Sequence, residues 1–174
     1  MRIGTKKKRA LLVPAVAAAA VLTSGVATTT AALASDNPQP SLADTRAATY
    51  KYHDVSVAEA DGYVSEGDEC VPGMGIHYIN FAQMGRMDPL KPDALLYEPS
   101  GNGVRLVGAE WIALDTDQNV ATDNSPVPSL FGHRFDGPMP GHFPGMPVHY
   151  DLHAYIWQAN PEGVLSTWNS NVRC

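Results

Sequence analysis

The sequence lacks the short motifs that mark the common classes of hydrolase, nucleotide-binding protein and thiol oxidoreductase. It contains no His-Glu-x-x-His, no Gly-x-Ser-x-Gly, no phosphate-binding glycine-rich loop with Lys and Ser or Thr, and no Cys-x-x-Cys. These absences argue against standard zinc peptidases, α/β-hydrolases, nucleotide-binding enzymes and thioredoxin-like proteins. A functional site in this chain has to be assembled from other residues.

Basic residues are scarce once the first nine positions are set aside. Those positions hold Arg2, Lys6, Lys7, Lys8 and Arg9, whereas all eighteen acidic residues come later in the chain. Without this leader, seven basic residues face eighteen acidic ones, a net charge of −11. Nucleic acids and anionic membranes are bound through basic patches, so the balance argues against both as partners and is more compatible with a metal ion or another cationic partner.

Residues 1–34 have the pattern of a secretory signal peptide. The basic start is followed by an apolar run over residues 10–27 and by the small-x-small sequence Ala32-Leu-Ala34. This order predicts export and cleavage after Ala34, whereas a membrane anchor is disfavoured because the apolar run is short. We expect a secreted, extracellular protein with a flexible lead-in over 35–42 and a single globular domain over 43–174.

Only two cysteines are present, Cys70 and Cys174. Pairing is the default for two cysteines in an exported protein, because that environment is oxidising. We therefore predict a Cys70–Cys174 disulfide. The alternative, a reactive or metal-bound thiolate, is disfavoured because a cysteine at the end of the sequence is poorly placed on a rigid scaffold.

The remaining pattern predicts an α+β fold. Helix-forming residues run from Ser41, a candidate N-cap, to about Ala60. Ser100-Gly-Asn-Gly103 is a hairpin signal. Short apolar or alternating segments predict strands around residues 77–80, 94–97, 105–114 and 148–157. We expect an N-terminal helix or helix pair followed by a small antiparallel sheet with Pro/Gly-rich loops.

Four of the six histidines lie between His133 and His153. Imidazole is the commonest metal ligand in proteins and titrates near neutral pH, so this cluster predicts a metal or acid–base site. Within it, His149, Asp151 and His153 alternate with apolar residues, which favours a strand with these three on one face. A helix is the alternative, because His149 and His153 would then lie one turn apart.

The strand interpretation limits how the histidines cooperate. His149 and His153 would be about 13 Å apart at Cα, too far to bind one ion unless the strand bends. Each would then join ligands from other segments, while Asp151 orients an imidazole. His77 and Glu110 are our candidates for those ligands, because a carboxylate within an apolar segment needs a partner.

We therefore expect a zinc, copper or iron site that is formed or flanked by His77, Glu110, His149 and His153. In an enzyme, three protein ligands would leave room for a water or a substrate, and Asp151 or Glu98 would be the candidate for proton transfer.

Each predicted ligand also has a simpler explanation. The histidines of segment 148–157 can form hydrogen bonds without a metal, His77 can pack in the core, and Glu110 can pair with Arg105 or Arg134. A second hypothesis follows from these alternatives. It is a metal-free extracellular binding module for a small ligand or sugar, with a cleft lined by the histidines and by Tyr150, Tyr155 and Trp157.

Residues 138–147 contain four prolines and two glycines, which predicts a rigid irregular loop beside the last strand. Its methionines can pack as apolar filler or bind Cu(I), and we favour packing. His133 and His142 lie in turn-rich sequence and are expected to be structural or peripheral.

Three segments together resemble a family of small exported bacterial proteins without an assigned function. They are Gly73-Met-Gly-Ile-His-Tyr-Ile-Asn80, Leu95-Leu-Tyr-Glu-Pro99 and the sequence from Gly137 to His153, GPMPGHFPGMPVHYDLH. The resemblance spans residues 45–174. It implies an exported single domain and carries no activity, so the expectation of a metal site depends on the residue chemistry alone.

Overall fold

The domain begins with two short helices joined by a 3₁₀ turn. The computed structural model describes residues 39–65, 69–124 and 126–174, so the predicted signal peptide lies outside the described residues. Helix α1 spans Leu42–Thr49, the turn spans Tyr50–His53, and α2 spans Val55–Ala60. Ser41 caps α1 in a capping box with Asp44, in which each side chain accepts from the other's backbone N–H.

Within the described residues, eight strands follow the helices. Six of them form a sheet with the order β1-β2-β3-β4-β8-β7, and β5 pairs with β6 separately. Every described strand pair is antiparallel, so the predicted α+β fold with an antiparallel sheet is confirmed. The bounds are β1 Val64–Ser65, β2 Ile76–Ile79, β3 Ala94–Ser100, β4 Gly103–Leu114, β5 Ser129–Leu130, β6 His133–Arg134, β7 Asp136–Met139 and β8 His149–Ala154.

The longest strand, β4, organises the sheet. It forms the predicted hairpin with β3, closed by the pairing of Ser100 with Gly103, and pairs with β8 on its other side. Residues 106–113 of β4 are buried without a break. Both faces of the sheet are therefore covered at this strand.

One face of the sheet carries the apolar core. Trp111 and Leu152 pack there with Tyr150, while Tyr97 packs with Tyr52 from the helical segment. Polar atoms on these rings have partners, since the Tyr97 hydroxyl donates to the Tyr52 carbonyl and Trp111 Nε1 donates to the Asp88 carbonyl. Burying a large apolar side chain contributes about 1.5 to 3 kcal/mol, so these side chains together make a large contribution to stability.

The end of the chain packs against the opposite face. Cys70 and Cys174 form a disulfide across 104 positions, which confirms the predicted pairing. Next to the disulfide, Val172 packs with Leu96, a residue whose strand partner is His77. Within the described part of the chain, no helix has the length and apolar character needed to cross a membrane.

Candidate functional site

The register of three strands brings histidines and a carboxylate to the face opposite the apolar core. Glu110 of β4 is directly opposite His153 of β8. On its other side Glu110 pairs with Ala94 of β3, which in turn pairs with Ile79 of β2. His77 lies two positions before Ile79 on β2, so its side chain is on the same face of the sheet as Glu110.

His77, Glu110 and His153 form a compact cluster. Each offers one ligand atom, and these three atoms lie within 4.8 Å of one another. His77 Nε2 is 3.6 Å from Glu110 Oε2. Around zinc, with bonds of 2.0–2.2 Å, the ligand atoms would be about 3.3 Å apart, so modest side-chain movement completes this geometry.

Two members of the cluster, Glu110 and His153, are deeply buried and have ligand atoms without hydrogen-bond partners among the described residues. Glu110 and His153 are 3% and 2% exposed. Glu110 Oε2 and both ring nitrogens of His153 have no hydrogen-bond partner among the described residues. Leaving one buried polar atom without a partner costs about 1 to 3 kcal/mol, and native proteins contain few such atoms. Their convergence at one place makes this cluster the candidate site.

Asp151 lies next to the cluster on β8. Its Oδ1 is 3.6 Å from His153 Nδ1, which makes the pair an electrostatic contact rather than a hydrogen bond. Carboxylates in this position orient metal-binding imidazoles and leave Nε2 as the ligand atom. We predicted this role for Asp151 from the sequence; its carboxylate lies beside His153, and the role itself stays a prediction.

Electrostatics favour unprotonated imidazole at His77. Burial, followed by the adjacent histidines 153 and 142, lowers the pKa of His77 to about 3. Burial raises the pKa of Glu110 well above its ordinary value. Burial opposes the charge on Asp151, but the adjacent His153 outweighs it and lowers the pKa of Asp151. A cation at this place would stabilise the ionised carboxylates and the neutral imidazole together.

A cavity of about 630 Å³ lies over this cluster. Its walls are largely apolar, with His77, Glu110 and Asp151 among the residues that line it. No Lys or Arg is found among the described residues that form it. The remaining lining residues are Glu69, Val71, Met74, Ile79, Ile112, Asp136, Met139, His142, Phe143, Met146, Thr167 and Trp168.

His149 does not join the first cluster, although β8 is a strand that turns both histidines to one face, as predicted. Its ligand atom groups with those of His142 and Asp151 instead. The separation predicted for two histidines four positions apart on a strand explains this division. His142, expected to be structural or peripheral, thus lies beside the predicted site, whereas His133 is exposed on β6.

Glu98 lies elsewhere in the structure. It forms an ion pair with Arg105 and accepts a hydrogen bond from the Arg173 backbone N–H. It is not among the residues lining the cavity. Arg105, named as an alternative partner of Glu110, is paired with Glu98 instead.

The aromatic residues of the alternative hypothesis do not line the cavity either. Tyr150 packs in the core on the other face, and Trp157 packs under Arg46 beside the first helix. The Tyr155 hydroxyl donates to the carbonyls of Gly73 and Thr167. The aromatic wall of the cavity comes from Phe143, which directly follows His142 in the sequence, and from Trp168, which no local pattern connects to the histidines.

Compared with models of known protein families, with curated proteins and with solved structures, the chain gives no match. The chemistry of the site therefore has to be argued from its own residues.

Proposed function

We propose that this chain is a secreted metal-binding protein whose primary site consists of His77, Glu110 and His153. The observation that carries the proposal is the convergence of buried ligand atoms without hydrogen-bond partners at one place on the sheet. These atoms belong to Glu110 of β4 and His153 of β8, and His77 joins them from β2. A divalent cation would satisfy these atoms at once.

Charge balance supports a cation rather than a neutral guest. Two buried carboxylates, Glu110 and Asp151, face the cavity, and the described residues around them include no permanently charged basic side chain. Buried charges are normally paired or bind metal. Two imidazoles and one carboxylate suit zinc, iron or copper better than magnesium or calcium, which prefer oxygen ligands alone.

The arrangement also supports chemistry at the metal. Three protein ligands leave a coordination position, as in catalytic zinc sites with two histidines and a glutamate. Iron(II) oxygenases likewise use two histidines and a carboxylate. The apolar cavity would lie on the open side of the ion and could admit a small substrate, with Asp151 as the nearest carboxylate for holding a proton.

Metal content tests the proposal. The untagged chain is purified from an exporting host and analysed by elemental mass spectrometry, before and after chelation and reloading with zinc. We expect zinc to be retained by the wild type and by Glu98→Gln, a control that removes a buried carboxylate outside the cavity. Glu110→Gln should lose the zinc of the primary site, and equal retention in both variants would contradict the proposal.

A second candidate function rests on the cavity itself. Its volume and its Met, Phe and Trp walls match sites for small apolar molecules. A metal-free binding module would use these walls and leave the histidines as polar contacts. Identical thermal stability with and without chelator, together with stabilisation by an apolar small molecule, would favour this function over metal binding.

Two features of the chain support export, which is part of the proposal. The disulfide is the kind of crosslink that persists in oxidising compartments. The first 34 residues have the order of a signal peptide. Both agree with the resemblance to small exported bacterial proteins. Amino-terminal sequencing of the exported chain should begin at residue 35, and a start at Met1 would contradict cleavage.

A further inference from the structure

A second histidine and carboxylate cluster lies beside the first on β8. It contains His142, His149 and Asp151, whose ligand atoms lie within 4.8 Å of one another. We propose that this cluster is a second metal site, for a divalent transition-metal ion, and that Asp151 links the two sites. The inference goes beyond the proposed function, which requires only one ion at His77, Glu110 and His153.

The surroundings of His149 determine which of its ring nitrogens is free to bind a metal. It is fully buried, and its Nδ1 lies 3.0 Å from the Pro147 carbonyl oxygen. Because a carbonyl oxygen can only accept, Nδ1 is the donor and Nε2 presents its lone pair. Nε2 is buried and has no hydrogen-bond partner among the described residues. A backbone contact that fixes the free nitrogen in this way is typical of metal-binding histidines.

The loop after β7 delivers His142 to the same place. Gly141 allows the loop to fold tightly, because a Cβ at this position would lie 2.1 Å from the Met146 carbonyl oxygen. The His142 backbone N–H donates to Met146 Sδ, and Phe143 packs edge-on against Phe81. The ring of His142 then lies 4.9 Å from that of His149, centroid to centroid. The imidazole is exposed, but the backbone that carries it is held.

Asp151 lies between the two clusters. Alternate residues on one face of a strand are about 6.6 Å apart, so Asp151 has His149 on one side and His153 on the other. Its Oδ1 is 3.6 Å from His153 Nδ1, and the carboxylate also belongs to the second cluster. One carboxylate therefore orients a ligand of the first ion and binds the second.

The charge around the cavity is sufficient for two divalent ions. Four carboxylates line it, two of them buried, and the described lining includes no Lys or Arg. Two imidazoles and a carboxylate again favour zinc or iron(II) over magnesium or calcium. The lining carboxylates are Glu69, Glu110, Asp136 and Asp151.

Zinc stoichiometry tests the second site. The untagged chain and its variants are stripped with chelator, dialysed against zinc and analysed for zinc per chain. We expect two equivalents in the wild type and one in His142→Ala, whose side chain is exposed and whose loss should leave the fold intact. His77→Ala should also fall to one, because it removes a ligand of the other site. His133→Ala, an exposed histidine outside both clusters, should keep two.

The outcomes separate the two proposals. One equivalent in the wild type that is unchanged in His142→Ala would overturn the second site and leave the primary site standing. Two equivalents retained in His142→Ala would also overturn it. Failure of the wild type to bind any zinc would contradict both sites. His149→Ala, checked for folding by circular dichroism, should agree with His142→Ala.

Discussion

The two faces of the central sheet are both buried but differ in how their polar atoms are treated. On the core face, Trp111 and Tyr97 are enclosed by apolar neighbours and their polar atoms donate to backbone carbonyls. On the cavity face, Glu110 and His153 are as deeply buried, yet ligand atoms of both have no partner among the described residues. Along β4 and β8, the side chains of successive residues point alternately to the core face and to the cavity face.

We infer from this difference that one face stabilises the fold and that the other face binds a ligand. A buried group without a partner lowers stability, and a protein that retains several of them together carries a cost that packing elsewhere must offset. We interpret the core face as the source of stability and the cavity face as a preformed ligand set. Substitutions on the core face should then lower the free energy of unfolding and leave zinc binding unchanged. Substitutions on the cavity face should weaken zinc binding and leave the free energy of unfolding nearly unchanged.

The largest effect on folding is expected on the core face. Trp111→Ala should lower the free energy of unfolding by about 3 to 5 kcal/mol, because it leaves a large cavity among Leu152 and its neighbours. Urea unfolding in the presence of chelator measures the change. Zinc bound per folded chain should stay at the wild-type value. A loss of less than about 1 kcal/mol would contradict the assignment of this face as the stabilising one.

The reverse signature is expected for Glu110→Gln. Loss of a metal-binding carboxylate should weaken zinc binding at the primary site by at least about 100-fold, more than the loss of an orienting residue. Without metal the variant should unfold within about 1 kcal/mol of the wild type, since no hydrogen bond of Glu110 Oε2 is lost. Competition with a chelating dye measures the affinity. Strong destabilisation without metal would mean that Glu110 is structural.

Asp151→Asn compares zinc binding at the two clusters of the cavity face. The amide keeps the shape of the side chain but loses the charge beside His153, so zinc affinity at the primary site should fall about 10- to 100-fold. The second equivalent of zinc should be lost as well. Binding curves for one and two equivalents resolve the two effects. Unchanged zinc affinity at both sites would show that Asp151 contributes to neither of them.

A pH-dependent effect is expected at a buried carboxyl outside the cavity. Burial raises the pKa of Asp93 to about 7, although its Oδ2 accepts from the Ile112 backbone N–H. The folded state therefore retains a proton that the unfolded chain releases above about pH 4. Because the folded state binds more protons, stability should fall as pH rises from about 4 to 7, by roughly 1 kcal/mol per pH unit.

Asp93→Asn should flatten this part of the stability profile, because the amide does not titrate. Urea unfolding at pH 4, 5.5 and 7 with chelator, for wild type and variant, measures the difference. An equal slope in both proteins would show that Asp93 is not the source of the pH dependence.

Local sequence patterns predicted much of the fold. The cap at Ser41, the hairpin at 100–103 and the alternation of β8 all depend on neighbouring residues, and each is confirmed. The disulfide followed from the count of cysteines. These features depend on short-range geometry or on the number of cysteines, and both can be determined from the sequence alone.

Local sequence patterns predicted less of the candidate site than of the fold. The spacing of His149 and His153 indicated that they share one ion only if the strand bends, and the structure assigns them to different clusters. The approach of His142 depends on the irregular path of a loop that folds back through Gly141, which periodicity does not describe. Trp168 reaches the cavity from a segment near the end of the chain, and a contact between distant segments leaves no trace in the periodicity of either.

The central claim is tested most directly by anomalous X-ray diffraction at the zinc absorption edge from a zinc-loaded crystal. We predict a peak about 2.0 to 2.2 Å from ligand atoms of His77, Glu110 and His153. Our further inference predicts a second peak beside His142, His149 and Asp151. Absence of a peak at the first position, in a crystal loaded with zinc, would contradict the account.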